Sequence, residues 1–477
     1  MRIRRPSLLV TGALLLPLVI AAQWVIPDPG SSPRKGPPPL SAIEPGGAQE
    51  FSARTHAPGQ PAADGGTAQA EAADAPLGPV ASPLFLDHVA VDVNARDRYG
   101  NPPRRDFTPE ELSRIAAEYD IVIDNLEHQP DGVPLSDTDI ATLRSLNPRI
   151  KILRTLWTLS SNDGTLQGIE PGDGNHEPWF LRDASGAFVR AYSDVAPWNG
   201  HVNYVLDPSN EHVQLQIAAQ SRILRRLGYD GVVLDDVIPY VAAPDGSFSR
   251  KVLLSHPVNR ATERAYTDDE WRADVTGLVA KVRQVSGPDA YIAVEGVGNG
   301  GDYLRSSASL LLDSVDAIVL RPFAGDGSAT PDPVNWSDDV DALAQISAAG
   351  KAVLAYGTGA PAPLEERAGR FAFASYLLGV QGATSAFGQG TPTGALPDGY
   401  APQPAYSRAA LGAPVAERKM LAGIPIRNFE HGMVAVNPGP NDADIDVGPG
   451  YRTAEGRPVS IVHLTPHDAV ILVRAGD

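Results

Sequence analysis

The 477 residues include no cysteine, so disulfides, thiolate metal sites and cysteine nucleophiles are all excluded. An excess of basic charge is missing too. Lys and Arg number 39 against 57 Asp and Glu, a net charge of -18 that removes nonspecific attraction to nucleic acid. No GxSxG elbow is present to seat a serine nucleophile. No histidine-rich or multi-carboxylate metal pattern stands out either. His128, His176, His201 and His256 fall in polar segments and read as solvated side chains rather than ligands. Neither a metal nor a cofactor is expected.

What is present begins with a basic, apolar N-terminus. Met1–Arg5 carries three arginines, and Ser7–Ile26 is an uncharged apolar run interrupted by Pro17. That run is about as long as a bilayer span requires, and the basic flank predicts an N-terminus left in the cytoplasm. Residues 1–26 therefore read as a signal peptide or signal-anchor, with no clean A-x-A cleavage site. An exported protein is expected, tethered through this segment or secreted. Residues 27–83 are dominated by Pro, Gly, Ala and Ser, with almost no large apolar side chain. Such a composition buries too little surface to offset its ordering entropy, which predicts a disordered linker.

From Leu84 the texture changes, and the chain is organised around LGYDGVVLDDV (227–237). An amphipathic run over 213–227 ends at Gly228, a residue suited to a helix C-cap because it takes a left-handed conformation without a Cβ penalty. A short apolar run, Gly231–Leu234, then ends in Asp235 and Asp236. That pattern predicts a strand buried on both faces, with charges emerging at its carboxyl end. The same strand–helix rhythm recurs on both sides of it. Strands are expected at 88–95, 119–127, 151–160, 291–297, 316–323, 351–358 and 383–390, with helices starting at Thr108, Ser136, Asp207-Pro208 and Thr267. Eight strands alternating with about seven or eight helices over roughly 320 residues have the size of a (β/α)8 TIM barrel. A doubly wound sheet is the competitor, weakened because no glycine-rich phosphate turn follows the first strand. The expected barrel covers 84–415. Short β-type runs over 420–477 (MVAVNP, ADIDVG, VSIVHL, AVILVR) predict a small antiparallel β-sandwich module of four strands.

In such a barrel, the residues that close each strand converge on one face. They are Asp92 and Asn94; Asp124, Asn125 and Glu127; Trp157; Asp235 and Asp236; Glu295; Arg321; Tyr356; and Gln389. Acids, amides and aromatics suit a carbohydrate, whose hydroxyls bind carboxylates and amides and whose apolar faces stack on rings. Glycosidic bond hydrolysis needs two carboxyl groups, one to protonate the leaving oxygen and one to attack or to activate water. Asp235 and Glu295 are the candidate pair. Glu295, alone in the apolar strand AYIAVEGV, is expected to act as the acid, and Asp235 or its neighbour Asp236 as the ionised partner. A glutamate simply paired with Arg321 on the next strand is the structural alternative. Asp92, Asp124, Glu127, Trp157, Asp207, Arg321 and Tyr356 are the candidate substrate contacts. Trp157, Trp179 and Trp198 are candidate stacking platforms.

The order WFLRDASG (179–186), NYVLDPSNEHV (203–213) and LGYDGVVLDDV (227–237) resembles the hypothetical glycosyl-hydrolase-like family 15. The resemblance covers roughly Leu84–Gly390, and the VNP strand at Val436-Asn437-Pro438 fits it as well. More distantly, the DGxxLD motif is similar to that of the endo-α-1,4-polygalactosaminidase family. The resemblance implies an exported (β/α)8 glycosidase acting on a polysaccharide, with its catalytic roles falling on Asp235 and Glu295. The chain departs from the family pattern twice. Glu295-Gly296 stands where Asn-Gly is usual, and Arg321 stands where strand six often carries a Glu. The loss of that acid motivates a second reading, a catalytically inactive barrel that binds a glycan within an envelope or polysaccharide-secretion complex. An esterase or deacetylase has neither a serine elbow nor a metal triad behind it.

Overall fold

The computed structural model describes residues 85–89, 107–125, 135–161, 169, 171–172, 175–191, 202–241, 253–325, 333–358, 365–382, 384–390 and 405–475. The expected signal segment (1–26) and linker (27–83) lie outside the described residues, as do Asp92, Asn94, Glu127, His128, Trp198 and His201. Among the described residues, no helix is long and apolar enough to cross a membrane.

Eight parallel strands form one sheet: β1 Phe85–Val89, β2 Ile121–Asn125, β3 Lys151–Trp157, β4 Gly231–Asp235, β5 Tyr291–Val294, β6 Ala317–Phe323, β7 Ala352–Thr358 and β8 Ala386–Gly390. They pair in chain order, and β8 comes round beside β1. Among the described residues, seven helices cover the outside: α1 Pro109–Glu118, α2 Asp137–Leu146, α3 Glu211–Arg226, α4 Asp268–Ser286, α5 Gly300–Arg305, α6 Pro333–Ala348 and α7 Glu365–Gly379. This is the TIM barrel expected. The first strand begins three residues earlier than the 88–95 expected, and the others agree to within a few residues at each end.

The period of two along each strand sorts the side chains into two cores. Ile121, Ile123, Leu153, Val233, Ala293, Ala317, Val319, Ala352, Leu354 and Ala386 fill the barrel interior. Val122, Ile152, Val232, Leu234, Ile292, Val294, Ile318, Leu320 and Val353 pack outward against the helices. Carried to the strand ends, this alternation decides which polar side chains can reach the barrel mouth.

Local chemistry starts and stops the helices. Thr108 with Glu111, Ser136 with Asp139 and Thr267 with Glu270 each form a reciprocal capping box, which satisfies N–H groups that a helix cannot pair by itself. Gly228, at φ +99°, follows α3 as expected. The start of α3 differs from expectation: Asn210 is the cap, and Asp207 closes a tight turn ahead of it by accepting Ser209 N at 3.0 Å and Ser209 Oγ at 2.7 Å.

Beyond the barrel, six strands rather than four make the antiparallel C-terminal module: β9 Lys419–Leu421, β10 Ile424–Phe429, β11 Gly432–Asn437, β12 Ala443–Thr453, β13 Pro458–Leu464 and β14 Asp468–Arg474. They form one sheet in the order β9-β10-β11-β14-β12-β13. The long β12 changes register between Asp446 and Tyr451; it pairs with β13 on both sides of that break and with β14 over Tyr451–Thr453. The sheet encloses its own core of Ile424, Ile426, Met433, Ala435, Ile445, Val462, Leu464 and Leu472. Its other face, through Phe429, Val434, Val436 and Ile471, joins the helix-side core of the barrel.

Arg427 fastens the two. Its fully buried guanidinium donates to the carbonyls of Leu377 (3.1 Å), Leu378 (3.3 Å) and Val380 (2.5 Å), and to Gln381 Oε1 (3.1 Å). These carbonyls end α7, where a helix has no partners of its own and carries partial negative charge. Burial pulls the Arg427 guanidinium down to about 10, so it remains a cation at neutral pH.

Candidate active site

Asp235 is the last residue of β4, and the alternation Val232 out, Val233 in, Leu234 out turns its side chain into the barrel mouth. Glu295 follows the end of β5. Leu234 and Val294 are register partners, so Asp235 and Glu295 continue neighbouring strands on the same inward face. Each is only 6% exposed. The main chain locks them together: Glu295 N donates to Leu234 O (2.8 Å), and Val237 N donates to Glu295 O (2.9 Å). Gly296 makes this approach possible. At φ +105°, a Cβ there would lie 2.6 Å from Val237 N.

Asp236 takes a left-handed conformation, φ +61°, which costs a non-glycine residue roughly 1–2 kcal/mol. This turn directs its N–H back onto Asp235 Oδ1, at 2.7 Å. The Asp236 carboxylate accepts a hydrogen bond from Ser160 Oγ, which is buried just beyond β3. Asp236 therefore supports Asp235 through its backbone. Ser160 has no motif around it, and its role could not be read without the fold.

The mouth continues around the barrel. Trp157 is the register partner of Asp235 across β3 and β4, and is buried beside it. On β6, Arg321 Nε lies 2.9 Å from Glu295 Oε1, the contact foreseen as the structural alternative. The Arg321 guanidinium also sits 3.8 Å from the centre of the Tyr356 ring, which faces inward on β7. Glu295, Arg321 and Tyr356 thus form a row over three adjacent strands. Asn125 and Gln389 close β2 and β8, with only their backbones described.

Two expected substrate contacts have their carboxylates engaged within the protein. Asp124 is one residue out of phase and faces the helices. It is 0% exposed, paired with Arg154 Nη1 at 2.6 Å and accepting the Tyr229 hydroxyl at 2.5 Å and Leu135 N at 3.2 Å. Burial, together with the Asp124 charge, pushes the Tyr229 phenol up. Asp207 is the second. Its oxygens are taken by the Ser209 turn and by Arg260, whose Nε lies 3.4 Å away. Trp179 is half-buried, edge-on to His176 at 4.5 Å and parallel to His212 at 6.2 Å, so His176 packs on a ring. No group of three or more His, Cys, Asp or Glu among the described residues could hold a metal ion.

The segments that follow β3 and β4 meet in an open cleft of about 700 Å³, lined by Glu177, Arg182, Asp183, Val258, Arg260 and Glu263. Behind the mouth, Asp339 of α6 accepts Gly300 N at 2.6 Å and Ala324 N at 2.7 Å. The sequence reading passed over this residue, because SDDVD in a helix reads as a solvated face.

Among solved structures, the chain is similar to the glycoside hydrolase domain of PelA from Pseudomonas aeruginosa, with 16% identity, 67% of this chain and 98% of that chain covered, and a TM-score of 0.39. It is also similar to the trehalose-6-phosphate hydrolase TreA of Bacillus licheniformis, with 10% identity, coverage of 83% and 99%, and a TM-score of 0.50. A GH27 β-L-arabinopyranosidase from Geobacillus stearothermophilus shares 9% identity over 83% of this chain and 97% of its own, with a TM-score of 0.45. These likenesses concern the fold. A comparison with curated proteins finds no match. The model of the hypothetical glycosyl hydrolase family 15 matches residues 144–433, from α2 through the barrel and into β11, and the chain belongs to that family.

Proposed function

We propose that the protein is an exported glycoside hydrolase that cleaves glycosidic bonds of an extracellular or cell-surface polysaccharide, with Asp235 and Glu295 as its two carboxyl groups. One observation carries the reading: the two acids extend adjacent, in-register strands on the inward face of the barrel mouth. Neighbouring strands run about 4.8 Å apart, which suits the roughly 5–10 Å range of carboxyl separations in glycosidases. Asp235, held by the Asp236 amide, is the nucleophile or base, and Glu295 is the proton donor. A sugar entering the mouth parts Glu295 from Arg321, and the guanidinium remains on the Tyr356 ring where it already rests. Trp157 offers an apolar face beside Asp235. The arginine-flanked apolar run before residue 27 supports export and membrane tethering.

The Glu295–Arg321 contact also favours a second reading, in which the barrel binds a glycan and does not cut it. A screen of the purified chain against defined polysaccharides, measuring new reducing ends, separates the two. Reducing ends that disappear in both Asp235→Asn and Glu295→Gln support the hydrolase. Saturable binding without reducing ends supports the binder.

A further inference from the structure

We propose that Asp339 is a positioning residue for this site: its buried carboxylate grips the main chain behind β5 and behind β6 at once, and so fixes how the Glu295 and Arg321 side chains meet. The inference rests on the reading that these two residues belong to the site.

The geometry is specific. One oxygen accepts Gly300 N, in the first turn of α5 and five residues beyond Glu295. The other accepts Ala324 N, three residues beyond Arg321. Ala324 is left-handed at φ +56°, an unfavourable state for alanine that the bond from its N–H helps to hold. Arg321 N meanwhile donates to Gly298 O at 3.1 Å, so the two loops are tied to each other as well as to α6. A single carboxylate thereby sets the relative height of two strand ends, and the 2.9 Å Glu295–Arg321 contact depends on that height.

Holding these loops with a carboxylate is costly. Asp339 is fully enclosed, and burial, reinforced by the Asp302 and Asp338 carboxylates and opposed by its two N–H bonds, pushes it up to about 7. The charged groups around it are Asp302 and Arg305 of α5 and Asp338 of its own helix. Arg305 lies 3.7 Å from Asp302 and 3.2 Å from Asp338. The cost is offset by the two buried N–H groups it satisfies, which no neutral side chain of this size with a single acceptor oxygen could pair at once. Ionised, both oxygens accept well. Protonated below neutrality, one oxygen carries a hydrogen and the grip on one loop weakens.

The test needs no substrate. The Arg321 Nε–Hε NMR resonance, assigned by its loss in Arg321→Lys, reports the Glu295 contact, and Glu295→Gln marks its position when that contact is changed. In Asp339→Asn the resonance is expected to move toward the Glu295→Gln position, with amides of 296–305, 321 and 323–325 exchanging at least about tenfold faster. In the wild type the Gly300 and Ala324 amides, which sit on the Asp339 oxygens, are expected to titrate together as pH falls from 8.5 to 5.5 through about 7, and the Arg321 resonance to follow at their midpoint. That shared midpoint also decides the matter should the variant not fold. An Arg321 resonance that stays in place in the variant, or that titrates in the wild type at a midpoint other than that of the Gly300 and Ala324 amides, overturns the proposal. A polysaccharide screen that finds no cleavage removes the hydrolase reading and leaves this result standing.

Discussion

Trp157 and Asp235 are direct partners in the β3–β4 register, so the largest apolar side chain at the mouth stands against the acid assigned to attack or activate water. On the proposed function, a sugar placed for attack by Asp235 is expected to lie along the indole. Trp157→Phe, which keeps a flat ring without opening a large void, is expected to raise KM severalfold and change kcat less. Substrate should also quench tryptophan fluorescence in the wild type more than in the variant. An unchanged KM would remove Trp157 from the binding surface.

The carboxylates give the sharpest outcome. Asp235→Asn and Glu295→Gln are each expected to lower turnover by several orders of magnitude with little change in Tm, because shape is kept while the charge or proton is lost. The pH profile should be a bell whose alkaline limb moves in Glu295→Gln. Azide should partly restore Asp235→Asn. Asp236 behaves differently because its backbone acts: Asn tolerates the left-handed conformation and should do modest damage, whereas Asp236→Ala should cost more. If Asp236→Asn is inactive while Asp235→Asn is near normal, the neighbours exchange roles.

The buried pair of Asp124 with Arg154 is expected to serve stability. Removing one partner of a buried ion pair strands the other, a loss of about 3–5 kcal/mol. Asp124→Ala is expected to lower the unfolding free energy by that amount, read as a lower Tm and denaturant midpoint, with kcat per folded molecule unchanged. A folded variant with selectively reduced kcat would return Asp124 to the site.

Asp339 makes stability fall with rising pH. Its carboxyl is raised in the folded state, so the native chain holds a proton that the unfolded chain releases. Its contribution is therefore lost as pH climbs from near 4 to about 7, at a slope approaching about 1.4 kcal/mol per pH unit. Denaturation midpoints across this window should show the slope in the wild type and lose it in Asp339→Asn. Parallel curves for the two proteins would count against the assignment.

The helix starts were legible because a capping box is a local code, complete within four residues, as at Thr108, Ser136 and Thr267. Asp235 was legible because an apolar run of fixed period ends on it. The outward direction of Asp124 was not legible, for a related reason. Near a strand end, a shift of one residue exchanges the inward and outward faces, and only the fold sets the phase. The first strand slid because apolar residues recur across LFLDHVAVDV with nothing to anchor the register. Two C-terminal strands escaped notice because Pro425 and the buried Arg427 interrupt the apolar pattern of β10. Ser160 and Asp339 act on partners 76 and 39 or fewer residues away, and no local pattern encodes such contacts.

Arg427 gives the C-terminal sheet a consequence for how such proteins can be shortened or recombined. A cut between the barrel and β9 would withdraw the cation on which the carbonyls ending α7 depend, and would expose the apolar face that Phe429 and Ile471 now cover. A barrel trimmed at residue 415 would carry that raw surface wherever it went. A grafted replacement sheet would have to bring its own guanidinium to the same three carbonyls.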